Sequence, residues 1–561
     1  MFKPNTRQLL GELLIERGLL RRDELDRAIG EQKTTGEYLG TILTRLGLIS
    51  TEHLMPILAE QLGMPYVRLA DAQISKEALA KVSPKFASHY RLIPLTIQNG
   101  VLRVATADPF DVQTLDELRL LLDCDITPVL ASPREITEAI QRQYGVGAST
   151  VERMLDAGTH ADGGGRRTSE DLTVQAEEAS VVSFVNQLLT TAVRERATDI
   201  HIEPFDKQLV IRQRIDGIMY DLPVPTDLHK LHQAIVSRVK VMAQLDIAER
   251  RLPQDGRIAV RMNGHDLDLR VSVLPTSFGE TVEIRILSST MLYSLEQLGI
   301  EPNQLPILHA LIEKPHGIIF VTGPTGSGKT TTLYACLTKL NTPQVKILTI
   351  EDPIEYQLSR ITQLQVHPKI GFSFAQGLRS MLRHDPDIMM VGEVRDPETA
   401  EITIRSALTG HLVFSTLHTN DAAGGITRLL DMGIEPYLVA SSVLGFIAQR
   451  LVRVVCPACA ADRPADPGLR EQFGLAEPPP ATLRAGRGCP ACKGTGYQGR
   501  TAIHEFLLVD EMVQKCIMQR LSSHEIAQMA QRGGKMRTLR QAGWLKIRRG
   551  ITTPQEVLRV T

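Results

Sequence analysis

IIFVTGPTGSGKTTTLYACL, residues 318–337, decides how this chain is read. An unbroken apolar run ends at Thr322, a Gly-rich loop follows, and a helix-forming stretch opens at Lys329. The loop fills every position of G-x-x-x-x-G-K-T in its required strand–loop–helix context. Its glycines let backbone N–H groups turn inward, and the following helix presents the positive end of its dipole. Gly323, Pro324, Thr325, Gly326, Ser327, Gly328, Lys329, Thr330 and Thr331 are therefore the candidate nucleotide cradle. In it Lys329 reaches the β- and γ-phosphates of ATP and the Thr330 hydroxyl helps hold Mg²⁺.

Working downstream, LTIEDPIEY (348–356) and DPDIMMVGEVRD (385–396) are apolar runs that end in acids. Strand-end carboxylates beside such a loop are where a metal shell and an attacking water need them. Glu351 and Glu393 are the candidates, although acids at these positions also cap helices. TGHLVFSTLHTND (409–421) adds a third buried run flanked by His411 and His418. His418, at the strand end, stands where a γ-phosphate sensor belongs. A hydrogen-bonded structural histidine is the plainer alternative.

Strands alternating with helices from Ile318 to about Arg453 predict an α/β core. Upstream, SFVNQLLTTAVRER predicts an amphipathic helix. ATDIHIEPFDKQLVIRQRIDGIMYDL and IAVRMNGHDLDLRVSVLPTSFGETVEIRIL alternate apolar and polar residues, as antiparallel hairpins do, with a turn at Asn263-Gly264. Residues 1–145 form an N-terminal module. In it LGELLIERGLLRRDELDRAIGEQ (10–32) repeats as LGTILTRLGLISTEHLMPILAEQ (39–61): a helix, a Gly turn and a Ser/Asp-capped second helix. Residues 66–144 then read as a small α/β part. Residues 146–180, Gly-rich and polar, read as a flexible linker. Residues 504–561 read as helical, with Lys535, Arg537, Arg540, Lys546, Arg548 and Arg549 forming a basic stretch. A solvated basic face explains such a stretch more simply than anionic lipid does.

The chain has 561 residues and a net charge of −1, with 4% aromatics and one tryptophan. Several domains are expected. The neutral balance and scarce aromatics exclude a typical nucleic-acid binder, so no nucleic acid partner is expected. No signal peptide is read at the N-terminus, and the longest apolar run is far short of a membrane span. A cytoplasmic protein with at most peripheral membrane contact is expected.

Of seven cysteines, Cys124, Cys336 and Cys516 are scattered, whereas Cys456, Cys459, Cys489 and Cys492 form two CPAC hooks. Two Cys-x-x-Cys pairs can complete a four-sulfur Zn²⁺ site. The 29 residues between the hooks exceed the common ribbon spacing. A redox pair is the alternative. It fits poorly because the first CPAC reads as following a helix end rather than opening a βαβ unit.

GPTGSGKT, TIEDPIEY, RHDPDIMMVGEVRD and TGHLVFSTLHTND, in this order, resemble the ATPases of type II secretion and type IV pilus systems, and most closely the GspE-like type II secretion assembly ATPases. ATDIHIEPFDKQLVIRQRIDG, RRLPQDGRI and the cysteine segment share the resemblance. It is strong over 181–561 and weaker before. It implies a RecA-like α/β ATPase core at 301–561 with a zinc insert at 454–500, preceded by a PAS-like domain at 181–300. It also implies a homohexamer that hydrolyses ATP to drive pseudopilus assembly, with pilus extension as the sibling activity. Glu351 would be the catalytic base, Glu393 would act through Mg²⁺, and His418 would belong to the family's histidine box. Arg270 and Arg285 would reach nucleotide across an interface; surface arginines on strands are the plainer reading. The implied partners are the cytoplasmic domains of inner-membrane secretion or pilus-platform proteins. The repeat resembles a module that in some relatives binds cyclic di-GMP through paired Arg-Leu-Gly motifs. Here those positions are Leu9-Leu10-Gly11 and Tyr38-Leu39-Gly40, and the missing arginines argue against that ligand. Two other classes of function stay in view. A nucleic-acid motor would show nucleic-acid-stimulated turnover, and a non-catalytic nucleotide scaffold would be indifferent to Lys329→Ala.

Overall fold

A computed structural model describes residues 9–108, 112–122, 124–152, 170–262, 264–288, 293–475 and 477–561. The chain divides into two compact units. One runs to Ile286 without the hairpin tip 263–267, and the other comprises that tip and Leu287–Thr561.

In the first unit, each half of the repeat is a helix pair: Leu10–Glu16 with Arg22–Thr35, and Leu39–Arg45 with Thr51–Leu62. Gly18 and Gly47 take φ of 68° and 69° at the turns, where a side chain would be strained. The other repeated glycines serve close approach. A Cβ on Gly11 would stand 2.5 Å from a Leu25 methyl, and one on Gly40 would stand 3.1 Å from a Leu54 methyl. The matched Gly and Leu positions are thus where the two helices of each pair cross. The Ser/Asp capping expected of the second helices is not what forms. Glu24 caps the Arg21 backbone N–H at 2.9 Å, and Ser50 spends its hydroxyl on His53. A three-stranded sheet follows, with β1 (Leu92–Gln98), β2 (Val101–Thr106) and β3 (Asp125–Leu130) in that order.

The expected linker is shorter than its composition suggested. Val146 donates its N–H to Pro223 at 2.9 Å, and Val146, Ala148, Thr150 and Val151 are buried. A helix then begins at Glu170 and runs to Arg194. The cause is apolar spacing inside a polar stretch: Val181, Phe184, Val185, Leu188 and Ala192 bury one helix face. The tract 153–169 lies outside the described residues. The antiparallel region forms a six-stranded sheet from β4 (Ala197–Pro204), β5 (Leu209–Ile215), β6 (Ile218–Leu222), β7 (Gln254–Met262), β8 (His265–Thr276) and β9 (Gly279–Ser288), in the order β6-β5-β4-β9-β8-β7.

The second unit is built on a seven-stranded sheet. Its strands are β10 (Gly317–Thr322), β11 (Ile347–Glu351), β12 (Thr362–Gln365), β13 (Ile388–Val391), β14 (Leu412–Leu417), β15 (Val443–Val455) and an edge strand, Tyr497–Leu508. The order is β12-β11-β13-β14-β10-β15-edge. All pairs are parallel except the last. Every residue of β10 and β14 is buried, because helices cover both faces. The α/β class expected for the core is the class that forms.

Two expectations are corrected here. The start of 504–561 is strand rather than helix: Tyr497–Leu508 pairs antiparallel with β15, and only then do four helices follow. The first CPAC follows β15, not a helix. The segment between the hooks carries its own strands. β16 (Ala460–Pro464) pairs with β17 (Thr482–Gly486), and Phe473 packs on Trp544 with ring centroids 5.2 Å apart. The edge strand is accordingly β18. The basic stretch is mostly exposed, as a solvated face is, although several of its residues also find partners in the fold. Lys546 is buried and donates to the Gly299 carbonyl at 2.7 Å, Arg549 pairs with Glu301 at 2.9 Å, and Lys535 pairs with Asp510 at 2.5 Å. Among the described residues no helix is long and apolar enough to cross a membrane. Of the three scattered cysteines, Cys336 and Cys516 are buried and Cys124 is partly exposed.

Candidate functional site

The loop after β10 passes directly into the helix Lys329–Leu340, so the first N–H groups of a twelve-residue helix open toward the loop. Gly323, Gly326 and Gly328 take φ of 148°, 78° and 88°. At Gly323 and Gly328 the space is also closed to a side chain. A Cβ would stand 2.7 Å from the Gln449 carbonyl in the first case and 2.7 Å from the Gln449 amide in the second. Pro324, Thr325 and Gly326 are exposed, so the cradle is open on its ligand side. The Ser327 hydroxyl is buried without a hydrogen-bond partner among the described residues, as a donor waiting for a phosphate oxygen would be. Lys329 Nζ donates to the carbonyls of Gly323 and Pro324 at 2.8 and 3.1 Å. Burial pulls its ammonium down to about 8; nearby Glu393 opposes that shift and Arg450 adds to it.

The sheet order places the acids. β14 separates β10 from β13, and β11 lies one strand further. At the usual strand spacing the backbones ending in Glu393 and Glu351 are roughly 10 and 14 Å from the phosphate-loop strand. Glu393 is 9% exposed, pairs with Arg395 and meets His418 Nε2 at 3.2 Å. Lys329, Glu393 and His418 are thus brought to the ends of three neighbouring strands. His411 sits at the opposite end of β14, where its ring bonds to the Ser406 carbonyl at 2.8 Å, a helix-end role.

Glu351 is more enclosed, at 3% exposed. Its carboxylate accepts from the Tyr334 hydroxyl, from Thr349 at 2.6 Å and from Gln363 at 3.0 Å. Tyr334 comes from the phosphate-loop helix and Gln363 from β12, so Glu351 is tied to both neighbours of its strand end. Burial first, and then Glu351, push the Tyr334 phenol well above its ordinary range, so the phenol stays protonated and donates. The apolar patterning of TTTLYACL gave no hint of this polar contact.

Arg270 and Arg285 lie in the first unit, on β8 and β9. Arg285 pairs with buried Asp199 at 2.8 Å and with Glu283 at 3.1 Å. Asp199 stands opposite both Arg285 and Arg214, so one carboxylate aligns a row across β5, β4 and β9.

The second cluster is the cysteines. All four sulfurs lie within 4.8 Å of one another. Cys456–Cys489, Cys459–Cys492 and Cys489–Cys492 are separated by 3.9, 3.8 and 3.6 Å. A tetrahedron of sulfurs about 2.3 Å from a central Zn²⁺ has edges of about 3.8 Å, so the four residues fit the ion. The N–H groups of Cys489 and Gly496 each point at Cys492 Sγ at 3.2 Å, which suits a thiolate ligand.

Residues 174–559 match the family described as Type II/IV secretion system protein, and residues 62–150 match the MshEN domain. The chain is 46% identical over 561 residues to the Type II secretion system protein E of Xanthomonas campestris pv. campestris, covering 98% of each chain. It is 42% identical over 559 residues to the type IV pilus assembly ATPase PilB of Myxococcus xanthus, again covering 98% of each. Among solved structures, the ATPase DotB of Legionella pneumophila aligns with a TM-score of 0.50 at 21% identity, over 67% of this chain and 95% of that one. That last likeness concerns the fold alone.

Proposed function

This chain belongs to the Type II/IV secretion system protein family and is a secretion ATPase, and from that premise we propose that it hydrolyses ATP to drive pseudopilus assembly and protein export by a type II secretion system. The observation that carries the reading is that an intact phosphate cradle with two strand-end carboxylates sits in a chain similar over 98% of its length to a Type II secretion system protein E.

Bound with ATP, Mg²⁺ would neutralise the phosphate oxygens, held through Thr330 and Glu393. The chain's own residues do the rest. The N–H groups of the loop and of the helix start orient the β- and γ-phosphates. Lys329 meets their charge, and Glu393, oriented by His418 and Arg395, faces the same space. Glu351 is the base of the reading. Its three donors hold it aimed, which suits it to orienting the attacking water. Arg270 and Arg285 act on nucleotide from the preceding domain, in a ring of six copies; Asp199 fixes the rotamer of Arg285. The cysteines hold one structural Zn²⁺. The chain works in the cytoplasm, at the inner membrane, against the cytoplasmic domains of membrane-embedded secretion proteins.

The similarity to a pilus assembly ATPase makes pilus extension the second reading. Deleting the gene and scoring exoprotein release against pilus-dependent motility separates the two. Lost release with intact motility is expected; lost motility with normal release would overturn the secretion assignment.

A further inference from the structure

Behind the phosphate loop lie two buried charges that no sequence motif announced. Gln449 and Arg450 are consecutive on β15, whose Ala448 is paired with Thr322 at the end of β10. Their side chains go opposite ways. Gln449 accepts from Thr332 at 2.7 Å and donates to the Ser327 carbonyl at 2.9 Å, bracing the loop and its helix. Arg450, 8% exposed, lies beneath Gly323, where a Cβ would stand 3.0 Å from Nη1. Its Nη2 donates to the Asn420 carbonyl at 2.7 Å. Glu505 enters from β18, opposite Ala448, and is 3% exposed. Its two oxygens accept the N–H of Ala422 at 2.8 Å and of Leu539 at 3.0 Å.

The loop that leaves β14 with His418 is therefore gripped at Asn420 by the buried Arg450 guanidinium and at Ala422 by the buried Glu505 carboxyl, which burial pushes up to about 7. Each charge is costly to bury, and each is spent mainly on backbone groups rather than on a close ion pair. Apolar residues of similar size would leave these backbone groups unmet, so what the two side chains supply is the position of one loop.

We propose that Arg450 and Glu505 are positioning residues of the ATPase reaction, which fix the backbone from Asn420 to Ala422 and so hold His418 against Glu393. This rests on the reading of Glu393 and His418 as part of the hydrolysis site.

The test is a double-mutant cycle on the full-length chain, with kcat and KM for ATP measured for His418→Ala, Glu505→Gln and the pair. Glu505→Gln keeps the shape but leaves one of the two N–H groups unmet. It lowers kcat by about tenfold or more, as a small misplacement of a reacting group does, with little change in KM. In the His418→Ala background it adds nothing further, because the residue it positions is gone. Effects that multiply, or Glu505→Gln at the wild-type rate, overturn the proposal. His418→Ala at the wild-type rate overturns the underlying reading instead. Should Glu505→Gln fail to fold, Arg450→Lys, which keeps the charge but loses the forked grip, is read through the same cycle with the same outcomes.

Discussion

The phosphate loop and the tetracysteine cluster are both written in the sequence as short glycine- or proline-bearing motifs, and both lie in the second unit, yet they are built to opposite ends. The loop is open: Pro324 to Gly326 face outward, and Lys329, Glu393 and His418 come from separate strand ends. The cysteines are closed, with four sulfurs at tetrahedral edge distances and β16, β17 and the glycines of 486–496 folded tightly about them. An open site holds charges ready for a ligand that arrives and leaves. A closed site satisfies its ligands once and stiffens what surrounds it. Damage to the first should appear in rate, and damage to the second in stability.

The largest expected effect lies on the rate side. Glu393→Gln should lower kcat by about a hundredfold or more, the usual cost of removing a charge that faces the transferring phosphoryl group. Its melting temperature should stay near that of the wild type. A melting loss that accounts for the lost rate would make Glu393 structural and break the distinction.

On the stability side, purified protein should contain about one zinc per chain, and stripping it with a chelator should lower the melting temperature by about 5–10 °C. Absence of metal together with freely reactive thiols would favour a redox pair.

A smaller effect concerns the join between the cluster and the core. Glu556 is 2% exposed and binds Arg453 at 2.5 Å and Arg559 at 2.9 Å. Burial opposes its ionisation, but the two arginines prevail and lower its carboxyl to about 2. A lowered folded-state value means stability that is present above the ordinary carboxylate range and is lost as pH falls toward 2. Glu556→Gln should therefore cost about 2–3 kcal/mol at pH 7 and progressively less in acid. An equal gap at pH 7 and pH 3 would contradict this.

The smallest effect sharpens the open site. Lys329 titrates near 8 in the free protein, and a bound phosphate raises that value. Nucleotide binding then takes up a proton above pH 8. Calorimetric Kd values for ADP with Mg²⁺ should rise by up to about tenfold per pH unit there. A flat profile to pH 9.5 would mean that Lys329 does not meet the phosphates.

The same contrast explains what was legible in the sequence. The phosphate loop was readable because strand, loop and helix are contiguous, so twenty residues carry the whole device. Glu351, Glu393 and His418 were readable because parallel strands deliver their ends to one edge of the sheet. Gln449, Arg450 and Glu505 were not, because the pairing of β15 with β10 and of β18 with β15 is what brings them to loops dozens of residues away. Reading the end of β18 as helix hid that register: IHEFLLVDEM offers apolar spacing compatible with both periods. Tyr334 was hidden in an apolar helix face, and the buried start of the linker was hidden in a polar composition. The glycine repeat of the N-terminal module was visible, but its reason, two helices crossing at Gly11 and Gly40, needed coordinates.

The most direct test of the account is phosphate release from ATP and Mg²⁺ by the purified full-length chain beside its Lys329→Ala variant. The account predicts turnover by the wild type that falls below detection in the variant, while circular dichroism and melting temperature are unchanged. Equal turnover by the two proteins would contradict it.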